Sequence, residues 1–228
     1  MKQGDITIIL PALNEEPNIG KVIDEIPQKA LEEKGYQVDV LVVDGNSTDR
    51  TREIAQEKGA SVIIEPERGK GRAVRTALKA IKADFVFILD ADFTYPATYI
   101  PEMLETLQQN CSVIIGSRLT GRREKGAIKR LNIVGNFLLT LMANILFRVR
   151  ISDLCTGYWG LRGEVIPTLN LSADGFQFEA DLFTELAKKG YRIVDVPIYY
   201  RQRQGEVKLN RIKDGLKIAW MLIYRRFR

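Results

Sequence analysis

The chain has 228 residues, a formal net charge of +5, two cysteines and no histidine. This length suits one large α/β domain or a domain with an appendage, and the missing histidine excludes mechanisms that depend on an imidazole, including Ser-His-Asp hydrolysis and histidine-ligated zinc. Two cysteines are too few for a disulfide framework and no signal-peptide pattern opens the sequence, so a reducing, cytoplasmic location is expected.

Residues 5–116 alternate short apolar runs with amphipathic segments. The runs at 6–10, 38–43, 62–64, 85–89 and 113–115 have the length and β-branched content of strands buried on both faces. Apolar residues at helical spacing predict helices at 19–26, 74–81 and 100–107, and a weaker helix at 51–58. This alternation predicts a right-handed, mostly parallel, doubly wound sheet, whose ligands bind beyond the carboxyl ends of the strands.

The sequence after residue 116 follows a different pattern. Residues 133–147 are uncharged and predict a helix shorter than the roughly 20 residues of a membrane span, with a polar residue at every fourth position. This helix is expected to lie against something apolar, either a membrane surface or the protein's own core. A strand at 158–161, a helix at 178–188 and a strand at 192–200 complete this half.

The tail from residue 210 predicts a last helix. One helical face carries Ile212, Leu216, Ala219, Trp220 and Ile223, and the arginines at 225, 226 and 228 lie at its end. An apolar face with Trp and a cationic border is typical of a helix in a membrane interface. An ordinary packing helix, whose terminal cations suit its dipole, is the alternative.

The cations are concentrated in two segments. Residues 117–151 and 201–228 together contain 17 of the 34 Lys and Arg residues but only 3 of the 29 Asp and Glu residues. This asymmetry indicates an anionic partner at one face, such as nucleic acid, a membrane surface or a phosphorylated substrate. Nucleic acid is disfavoured, because residues 117–131 contain no aromatic side chain that could stack on bases.

Carboxylates follow three of the predicted strands, and Asp90-Ala91-Asp92 is the most informative of these segments. Two carboxylates so close together repel one another unless a cation lies between them, and Mg²⁺ or Mn²⁺ with oxygen ligands fits that requirement. A helix N-cap would explain any single loop of this kind. Carboxylates at the same end of three strands favour a ligand site.

A glycine-rich segment, Gly69-Lys70-Gly71-Arg72, opens the helix that follows the third strand. It offers backbone amides, a helix N-terminus and two cations to a phosphate. It matches neither the Walker loop nor the dinucleotide-binding fingerprint. A flexible turn with exposed charges is the alternative.

Several motifs occur together in a fixed order: PALNE at 11–15, DGNSTD at 44–49, GKG at 69–71, DAD at 90–92 and GSR at 116–118, followed by DLCTG at 153–157, GFQFE at 175–179 and RQGEVKL at 203–209. In order and spacing they resemble the inverting family 2 glycosyltransferases of the GT-A fold. Within that family they are most similar to the polyprenyl-phosphate (dolichol-phosphate) sugar synthases. The resemblance implies a GT-A domain over 1–209, with a nucleotide-sugar half at 5–116, an acceptor half at 117–209 and an interfacial amphipathic helix at 210–228.

The resemblance also implies roles for individual residues. The nucleotide sugar would be bound by Pro11, Leu13, Glu15, Asp44, Lys70, Asp90, Arg203 and Lys208. Asp90 and Asp92 would hold the metal, and the catalytic group would comprise Asp92, Arg118, Arg130, Asp153 and Glu179, with both arginines on the acceptor phosphate. Leu13 stands where the family often has Tyr, and Thr94 stands where many members place a Gln metal ligand.

The implied reaction is transfer of a hexose, mannose from GDP-mannose in the first hypothesis, to polyprenyl or dolichyl phosphate with inversion and with Mg²⁺ or Mn²⁺. A UDP-sugar donor, or a saccharide hydroxyl as acceptor with Asp153 or Glu179 as base, are the alternatives. A phosphate monoester, whose second pKa is about 6, is already anionic and needs no imidazole base. The protein is expected at the cytoplasmic face of the membrane, attached peripherally through 133–147 and 212–228 without a transmembrane span and helped by a small membrane-anchoring subunit.

Overall fold

The computed structural model describes residues 2–109, 111–204 and 211–227. The strands in this part of the chain are β1 (Gly4–Ala12), β2 (Tyr36–Asp44), β3 (Ser61–Ile64), β4 (Phe85–Ile88), β5 (Val113–Ser117), β6 (Trp159–Arg162) and β7 (Ile193–Pro197). The helices are α1 (Ile19–Glu25), α2 (Gln28–Glu33), α3 (Thr51–Glu57), α4 (Lys70–Ala80), α5 (Ile100–Gln108), α6 (Arg130–Phe147), α7 (Phe178–Lys188) and α8 (Arg211–Phe227).

The strands form one sheet in the order β3-β2-β1-β4-β6-β5-β7. All neighbours are parallel except β6, which runs antiparallel to both β4 and β5. The predicted mostly parallel α/β sheet is therefore confirmed. Because β6 comes from the second half of the chain and lies between two strands of the first half, both halves share a single sheet.

The sheet separates two apolar layers. Ile8 and Leu10 of β1 belong to the cluster formed with α1, α2, α3 and α5, whereas Ile9 belongs to the cluster formed with α4, α6, α7 and α8. Alternate side chains of a strand point to opposite faces, so a strand covered by helices on both sides is apolar throughout. This explains the continuous apolar run of β1.

The prediction that the third strand is buried on both faces is wrong. β3 lies at the edge of the sheet, where its one neighbour among the described strands is β2, and Ile64 is 53% exposed. An edge position leaves one side of the strand without a partner, so apolar residues there are not fully covered. Helix α2 was not predicted from the periodicity, because only Leu31 of its six residues is buried.

Helix α6 turns its polar stripe inward and its apolar surface outward. Asn136, Thr140 and Ala143 are buried against the protein, while the following large apolar side chains are exposed: Leu131, Val134, Phe137, Leu138, Leu141 and Ile145. The helix has 18 residues and a mean hydropathy of 1.4, with 17% of it buried, so by length and composition alone it could just cross a membrane. The alternative that this helix is buried in the protein's own core holds for one side only, where Ala143 belongs to the core and Leu139 and Met142 pack against it. The larger apolar face is exposed.

Helix α8 packs against α6 and α7 through Ile218 and Leu222, which are buried. Helix α8 was predicted to be apolar on a different face. Of the described members of that face, Leu216, Trp220 and Ile223 are exposed and Ala219 is half-buried. The expectation that the terminal arginines form an outer cationic border is wrong for Arg225. Its side chain is turned inward onto carboxylates of α7, because those buried charges require a cation.

Candidate active site

The predicted site residues converge at the carboxyl ends of the parallel strands. Glu15 follows β1, Asp44 ends β2, and Asp90 and Asp92 follow β4. Lys70 is the first residue of α4 and Glu179 lies in the first turn of α7. The topology therefore brings together charges that are up to 164 residues apart, counted from Glu15 to Glu179.

The loops after β1 and β2 are fastened to one another. Asn14, in the left-handed conformation with φ of 50°, donates its N–H to Ser47 Oγ at 2.8 Å and accepts the N–H of Thr48 on Oδ1 at 2.8 Å. Asp44 is fully buried; its Oδ2 accepts from the N–H of Ser47 at 2.9 Å and lies 3.4 Å from Arg52 Nε. Asp44 Oδ1 is also buried and has no hydrogen-bond partner in the described residues. An unsatisfied buried oxygen is costly, so this atom is a strong candidate to accept a donor from a ligand.

Lys70 joins Asp90 to Glu179. Its Nζ lies 2.5 Å from Asp90 Oδ1 and 2.6 Å from Glu179 Oε1, and its side chain is 14% exposed. Burial alone would lower the pKa of Lys70, but the two carboxylates outweigh it and the pKa is raised. Burial raises the pKa of Glu179, and Lys70 opposes that rise. A Cβ at Gly157 would lie 2.6 Å from Asp90 Oδ2, so only glycine permits this close approach of the backbone.

Asp92 is held on both of its oxygens. Oδ1 accepts from the N–H and the hydroxyl of Thr94, at 3.1 and 2.5 Å, and Oδ2 lies 3.1 Å from Arg203 Nη1. Arg203 also reaches Glu15, with 2.8 Å between Nη2 and Oε1. Burial and repulsion from Asp90 raise the pKa of Asp92 against the opposing effect of Arg203. Thr94 thus holds Oδ1 of the Asp92 carboxylate, and Arg203 holds Oδ2.

These contacts define what we call the acidic cluster, which consists of Glu15, Lys70, Asp90, Asp92, Glu179 and Arg203. Four carboxylates against two cations give it a formal charge of −2. In the part of the chain that the structure describes, no group of three or more acidic, thiol or imidazole side chains is arranged to hold a metal ion by itself. A divalent ion here would therefore take additional ligands from a bound substrate, as Mg²⁺ commonly does with phosphates.

The expectation that Gly69 to Arg72 presents an open helix N-terminus to a phosphate is wrong in part. The segment around Asp174 covers it: the N–H of Arg72 donates to Asp174 O at 3.2 Å, and the Arg72 guanidinium pairs with Glu67 and Asp174. Added Cβ atoms at Gly69 and Gly71 would lie 2.3 Å from carbonyl oxygens of Asp174 and Ala173. The glycines therefore serve close backbone packing, and Lys70 is the side chain of this motif that reaches the site.

Arg118 forms a buried pair with Asp153, which we call the Arg118–Asp153 pair. Its Nε donates to Oδ2 at 2.8 Å and its Nη2 to Oδ1 at 2.7 Å, and Asn136 Nδ2 adds a bond to Oδ1 at 2.6 Å. Asp153 is fully buried, which by itself would raise its pKa, but Arg118 lowers the pKa below the usual value. The rings of Tyr95 and Tyr200 lie 6.0 and 5.4 Å from the guanidinium carbon, within reach of cation–π attraction.

The contacts above do not include three other described residues that the sequence predicts at the site. Pro11 and Leu13 are half-buried at the end of β1, beside Asp44, whose Cα pairs in register with Ala12. Arg130 is exposed at the first position of α6, and no described carboxylate lies within ion-pairing distance of it. Lys208 lies outside the described residues. Their predicted roles stay predictions.

The structure also shows supporting residues that the sequence reasoning missed. Asn136 was seen only as part of a polar stripe, although its amide binds Asp153. Tyr95 accepts the N–H of Gly157 at 2.7 Å, and Asn18 donates to Glu15 at 3.1 Å. The buried tyrosine near the DAD motif carried no signal of this contact. The polar residues at every fourth position of α6 could have predicted such a contact, because polar side chains on an otherwise apolar helix are hydrogen-bonded when they are buried.

Comparisons with known proteins show the family of this chain. The model of the family described as "Glycosyl transferase family 2" matches residues 7–169. The chain belongs to glycosyltransferase family 2. It is 36% identical over 224 residues to glycosyltransferase AglJ of Haloferax volcanii, which covers 97% of this chain and 71% of that protein. It is 34% identical to the dolichyl-phosphate hexose transferase of the same organism, covering 96% of this chain and 92% of that protein.

More distant relatives are consistent with this assignment. The dolichol-phosphate mannosyltransferase of Pyrococcus furiosus is 29% identical, covering 90% of this chain and 59% of that protein. A crystal structure of glucosyl-3-phosphoglycerate synthase from Mycobacterium tuberculosis, in complex with Mn²⁺, UDP-glucose and phosphoglyceric acid, superposes with a TM-score of 0.77 at 21% identity and covers 99% of this chain and 80% of that one. The GT-A fold and the resemblance to the polyprenyl-phosphate subgroup of this glycosyltransferase family are therefore confirmed.

Proposed function

We propose that this glycosyltransferase moves a hexose from a nucleoside-diphosphate sugar to the phosphate of a polyprenyl phosphate at a membrane surface, with inversion at the anomeric carbon. The first hypothesis for the donor is GDP-mannose, and UDP-glucose or another UDP-sugar is the second. The names of the dolichyl-phosphate hexose transferase and the dolichol-phosphate mannosyltransferase support this acceptor.

The observation that carries the proposal is the two-faced character of α6. Its polar stripe supplies Asn136 to Asp153, which orients Arg118, while the opposite face exposes Phe137 and Leu138. Asp153 accepts from Nε and Nη2 of Arg118, so Nη1 is the donor left for a phosphate, and an exposed apolar helix surface is suited to lipid. A polyprenyl phosphate combines both chemistries, an anionic head group and an apolar chain.

The donor would bind at the acidic cluster and the loops after β1 and β2. Asp44 Oδ1 is buried without a partner, which suits an acceptor for an N–H of the nucleobase. Lys70 and Arg203 supply positive charge where a diphosphate would lie, and we expect Lys208 to add to it. Arg203 bridges Glu15 and Asp92 in this structure, so binding of a diphosphate would exchange carboxylate partners for phosphate ones.

Asp90 and Asp92 fit a divalent metal ion. They are oxygen donors in a cluster of formal charge −2, and repulsion from Asp90 contributes to the raised pKa of Asp92. When bound, Mg²⁺ or Mn²⁺ would stabilise the negative charge that develops on the departing diphosphate. The Mn²⁺ named in the structure of glucosyl-3-phosphoglycerate synthase supports this expectation without deciding between the two ions.

The pKa directions favour a phosphate over a hydroxyl as acceptor. A hydroxyl needs a general base, and the lowered pKa of Asp153 makes that carboxylate a weak one. Glu179 has a raised pKa, but it is paired with Lys70 at 2.6 Å. A phosphate monoester is already ionised near neutral pH, so accurate positioning of the two substrates is sufficient.

We expect the exposed faces of α6 and α8 to lie on the membrane, with the active site at its cytoplasmic face. The polar side of α6 is bonded to the protein's own segment 151–155, including the N–H of Leu154 on Thr140 Oγ1 at 3.0 Å. A helix fastened in this way along one side is suited to lie along a membrane surface. The separate anchoring subunit stays a prediction.

A donor panel tests the proposal. Purified protein is incubated with polyprenyl phosphate in detergent, Mg²⁺ or Mn²⁺, and labelled GDP-mannose, UDP-glucose or other nucleotide sugars, and lipid-linked label is extracted. We expect one donor to give a lipid product whose anomeric linkage, read by NMR, is opposite to that of the donor. A soluble saccharide acceptor is run in parallel, with Glu179→Gln as a test of a carboxylate base. Absence of lipid-linked product from every donor would overturn the proposal, and labelling of the saccharide would favour the alternative acceptor.

A further inference from the structure

The contacts of Arg225 are unusual for a residue near the end of a surface helix. Its side chain is only 12% exposed. Nη1 donates to Glu185 Oε1 at 3.0 Å, and Nη2 contacts the Asp181 carboxylate, Ser172 Oγ at 3.0 Å and Asn170 O at 3.0 Å. One guanidinium thus joins α8 to α7 and to residues 170–174, which we call the strap.

The Asp181 carboxylate is shared between Arg225 and the strap. Its Oδ2 accepts the N–H groups of Ser172 and Ala173, at 2.6 and 2.7 Å, while Oδ1 contacts Arg225. Asp181 is fully buried. A buried carboxylate needs both a countercharge and hydrogen bonds, and here Arg225 supplies the charge and the strap supplies the N–H donors.

The strap lies across the N-terminus of α4. Asp174 O accepts the N–H of Arg72, and the Asp174 carboxylate pairs with Arg72 at 2.9 Å and with Arg75 at 2.5 Å. The fit is so close that any Cβ at Gly69 or Gly71 would collide with strap carbonyls. Lys70 stands between these two glycines, so the course of its backbone is set by the strap.

We propose that Arg225 is a positioning residue for Lys70, and that it acts by holding Asp181 and the strap against the first turn of α4. The strap sets the backbone of Lys70, while the ammonium at the tip of its side chain pairs with Glu179. Glu179 lies on α7, two residues before Asp181. A displaced strap would shift the backbone at Lys70, while Asp90 and Glu179 would remain where β4 and α7 hold them. The contacts of Lys70 with Asp90 and with a bound diphosphate would then weaken together.

The inference rests on the proposed function, because it assumes a nucleoside diphosphate at Lys70. Its test compares Arg225→Gln with Arg226→Gln, which removes the same charge from the neighbouring, exposed arginine. Calorimetry measures binding of GDP and UDP with Mg²⁺ to each full-length variant. We expect Arg225→Gln to weaken binding about tenfold, as is common when the partner that orients a binding group is lost, and Arg226→Gln to bind like the wild type.

A double variant separates positioning from general loss of structure. In the Lys70→Gln background, Arg225→Gln should change nucleotide affinity less than about twofold, because the group through which it acts is already gone. Should Arg225→Gln fold poorly, Arg225→Lys retains the charge without the fork and should bind with intermediate affinity. Equal, additive losses in both backgrounds would overturn the inference.

Amide hydrogen exchange makes the result independent of the proposed function. Arg225→Gln should speed exchange at the N–H groups of Ser172, Ala173 and Arg72 relative to Arg226→Gln, whether or not nucleotide binds. If the wild type binds neither nucleotide, the proposed donor site fails and exchange at Arg72 decides the inference. If nucleotide binds equally to both arginine variants and exchange is unchanged, the inference fails while the proposed function stands.

Discussion

The two charged regions of this glycosyltransferase solve the problem of buried charge in opposite ways. In the acidic cluster, four carboxylates share two cations, and the pKa values of Asp92 and Glu179 are raised. In the Arg118–Asp153 pair, one carboxylate meets one guanidinium through two parallel hydrogen bonds, and the pKa of Asp153 is lowered. The first region has excess negative charge, whereas the second is balanced.

This difference in charge balance suggests that the acidic cluster serves mainly activity, whereas the Arg118–Asp153 pair also serves folding. Excess negative charge costs folding free energy and is useful where a cation and a diphosphate are to be bound. A balanced buried pair requires no ligand, but it becomes costly when one partner is removed. We therefore expect substitutions in the acidic cluster to affect activity most, and substitutions in the Arg118–Asp153 pair to affect folding as well.

The largest effect is expected from Asp92→Asn. The amide keeps the size of the side chain but removes the charge that the metal and Arg203 would use, so the transfer rate should fall by about 10²–10³-fold, the range seen when one electrostatic group of an active site is removed. The measurement is initial-rate transfer with the donor that the panel selects. Asp39→Asn, an exposed position on β2, is the matched control and should leave the rate unchanged. A loss smaller than tenfold would mean that Asp92 is not needed for the reaction.

The next effect is on folding. Arg118→Met leaves Asp153 fully buried without its cation, which should cost about 3–5 kcal/mol of unfolding free energy in urea titration. Arg118→Met combined with Asp153→Asn should recover a large part of that loss, because the uncompensated charge is then absent. If the single substitution cost less than about 1 kcal/mol, the contrast between the two regions would not hold. Neither variant is expected to transfer sugar, so stability is the readout.

Much of the acidic cluster could be predicted because it depends on local pattern. Asp90 and Asp92 follow an apolar strand, and the parallel topology brings the ends of β1, β2 and β4 to one edge. The sequence predicts Lys70 as part of a glycine-rich phosphate loop, whereas in the structure Lys70 pairs with Asp90 and Glu179. That motif looked like a phosphate loop, because nothing in residues 69–72 reveals that Ala173 and Asp174 pack over it.

The partners across long separations could not be predicted. Asp153 and Arg118 are 35 residues apart, and Arg225 and Asp181 are 44 apart, so composition shows the charges but not the pairs. The period of α6 was visible, whereas the direction of its polar face was not. That direction is set by the segment that follows the helix. Asn136 binds Asp153, and Thr140 binds the N–H of Leu154.

The pH dependence of stability should differ in sign between the two regions. The pKa of Asp92 is raised in the folded protein, so its neutral form favours folding. This contribution is fully present below the ordinary pKa of 3.8, and it is lost as the pH rises through the folded-state pKa. Without metal, Asp92→Asn should therefore match the wild type near pH 3 and be more stable at pH 7. The lowered pKa of Asp153 contributes stability above 3.8 that is lost as pH falls through the folded pKa. Asp153→Asn should be less stable than the wild type at pH 7, and this deficit should shrink below pH 4.

Thermal unfolding in EDTA across pH 3–8 measures both differences, with Asp39→Asn as the control for removal of an exposed carboxylate. If the stability differences of Asp92→Asn and Asp153→Asn from the wild type had the same sign and the same pH dependence, the two regions would not differ in how they accommodate buried charge. That outcome would remove the basis for separating function from stability.

The smallest effect concerns the exposed apolar faces of α6 and α8. Phe137 on α6 and Trp220 on α8 are 59% and 67% exposed, so Phe137→Ser and Trp220→Ser should change the free energy of unfolding by no more than about 0.5 kcal/mol. If these helices lie on lipid, each change removes an aromatic side chain from the membrane interface and should weaken binding to anionic vesicles by roughly tenfold, which corresponds to about 1.4 kcal/mol.

Ile64→Ser on the edge strand β3 is the matched control, because Ile64 is similarly exposed but lies on the far side of the sheet from α6 and α8. Sedimentation with vesicles measures all three variants, and nucleotide binding by the acidic cluster should be unaffected in each. Equal vesicle binding by Phe137→Ser, Trp220→Ser and Ile64→Ser would assign the exposed apolar faces to another partner. The Arg118–Asp153 pair would then be held by α6 without being brought to a lipid surface, and a soluble phosphorylated acceptor would fit this region better.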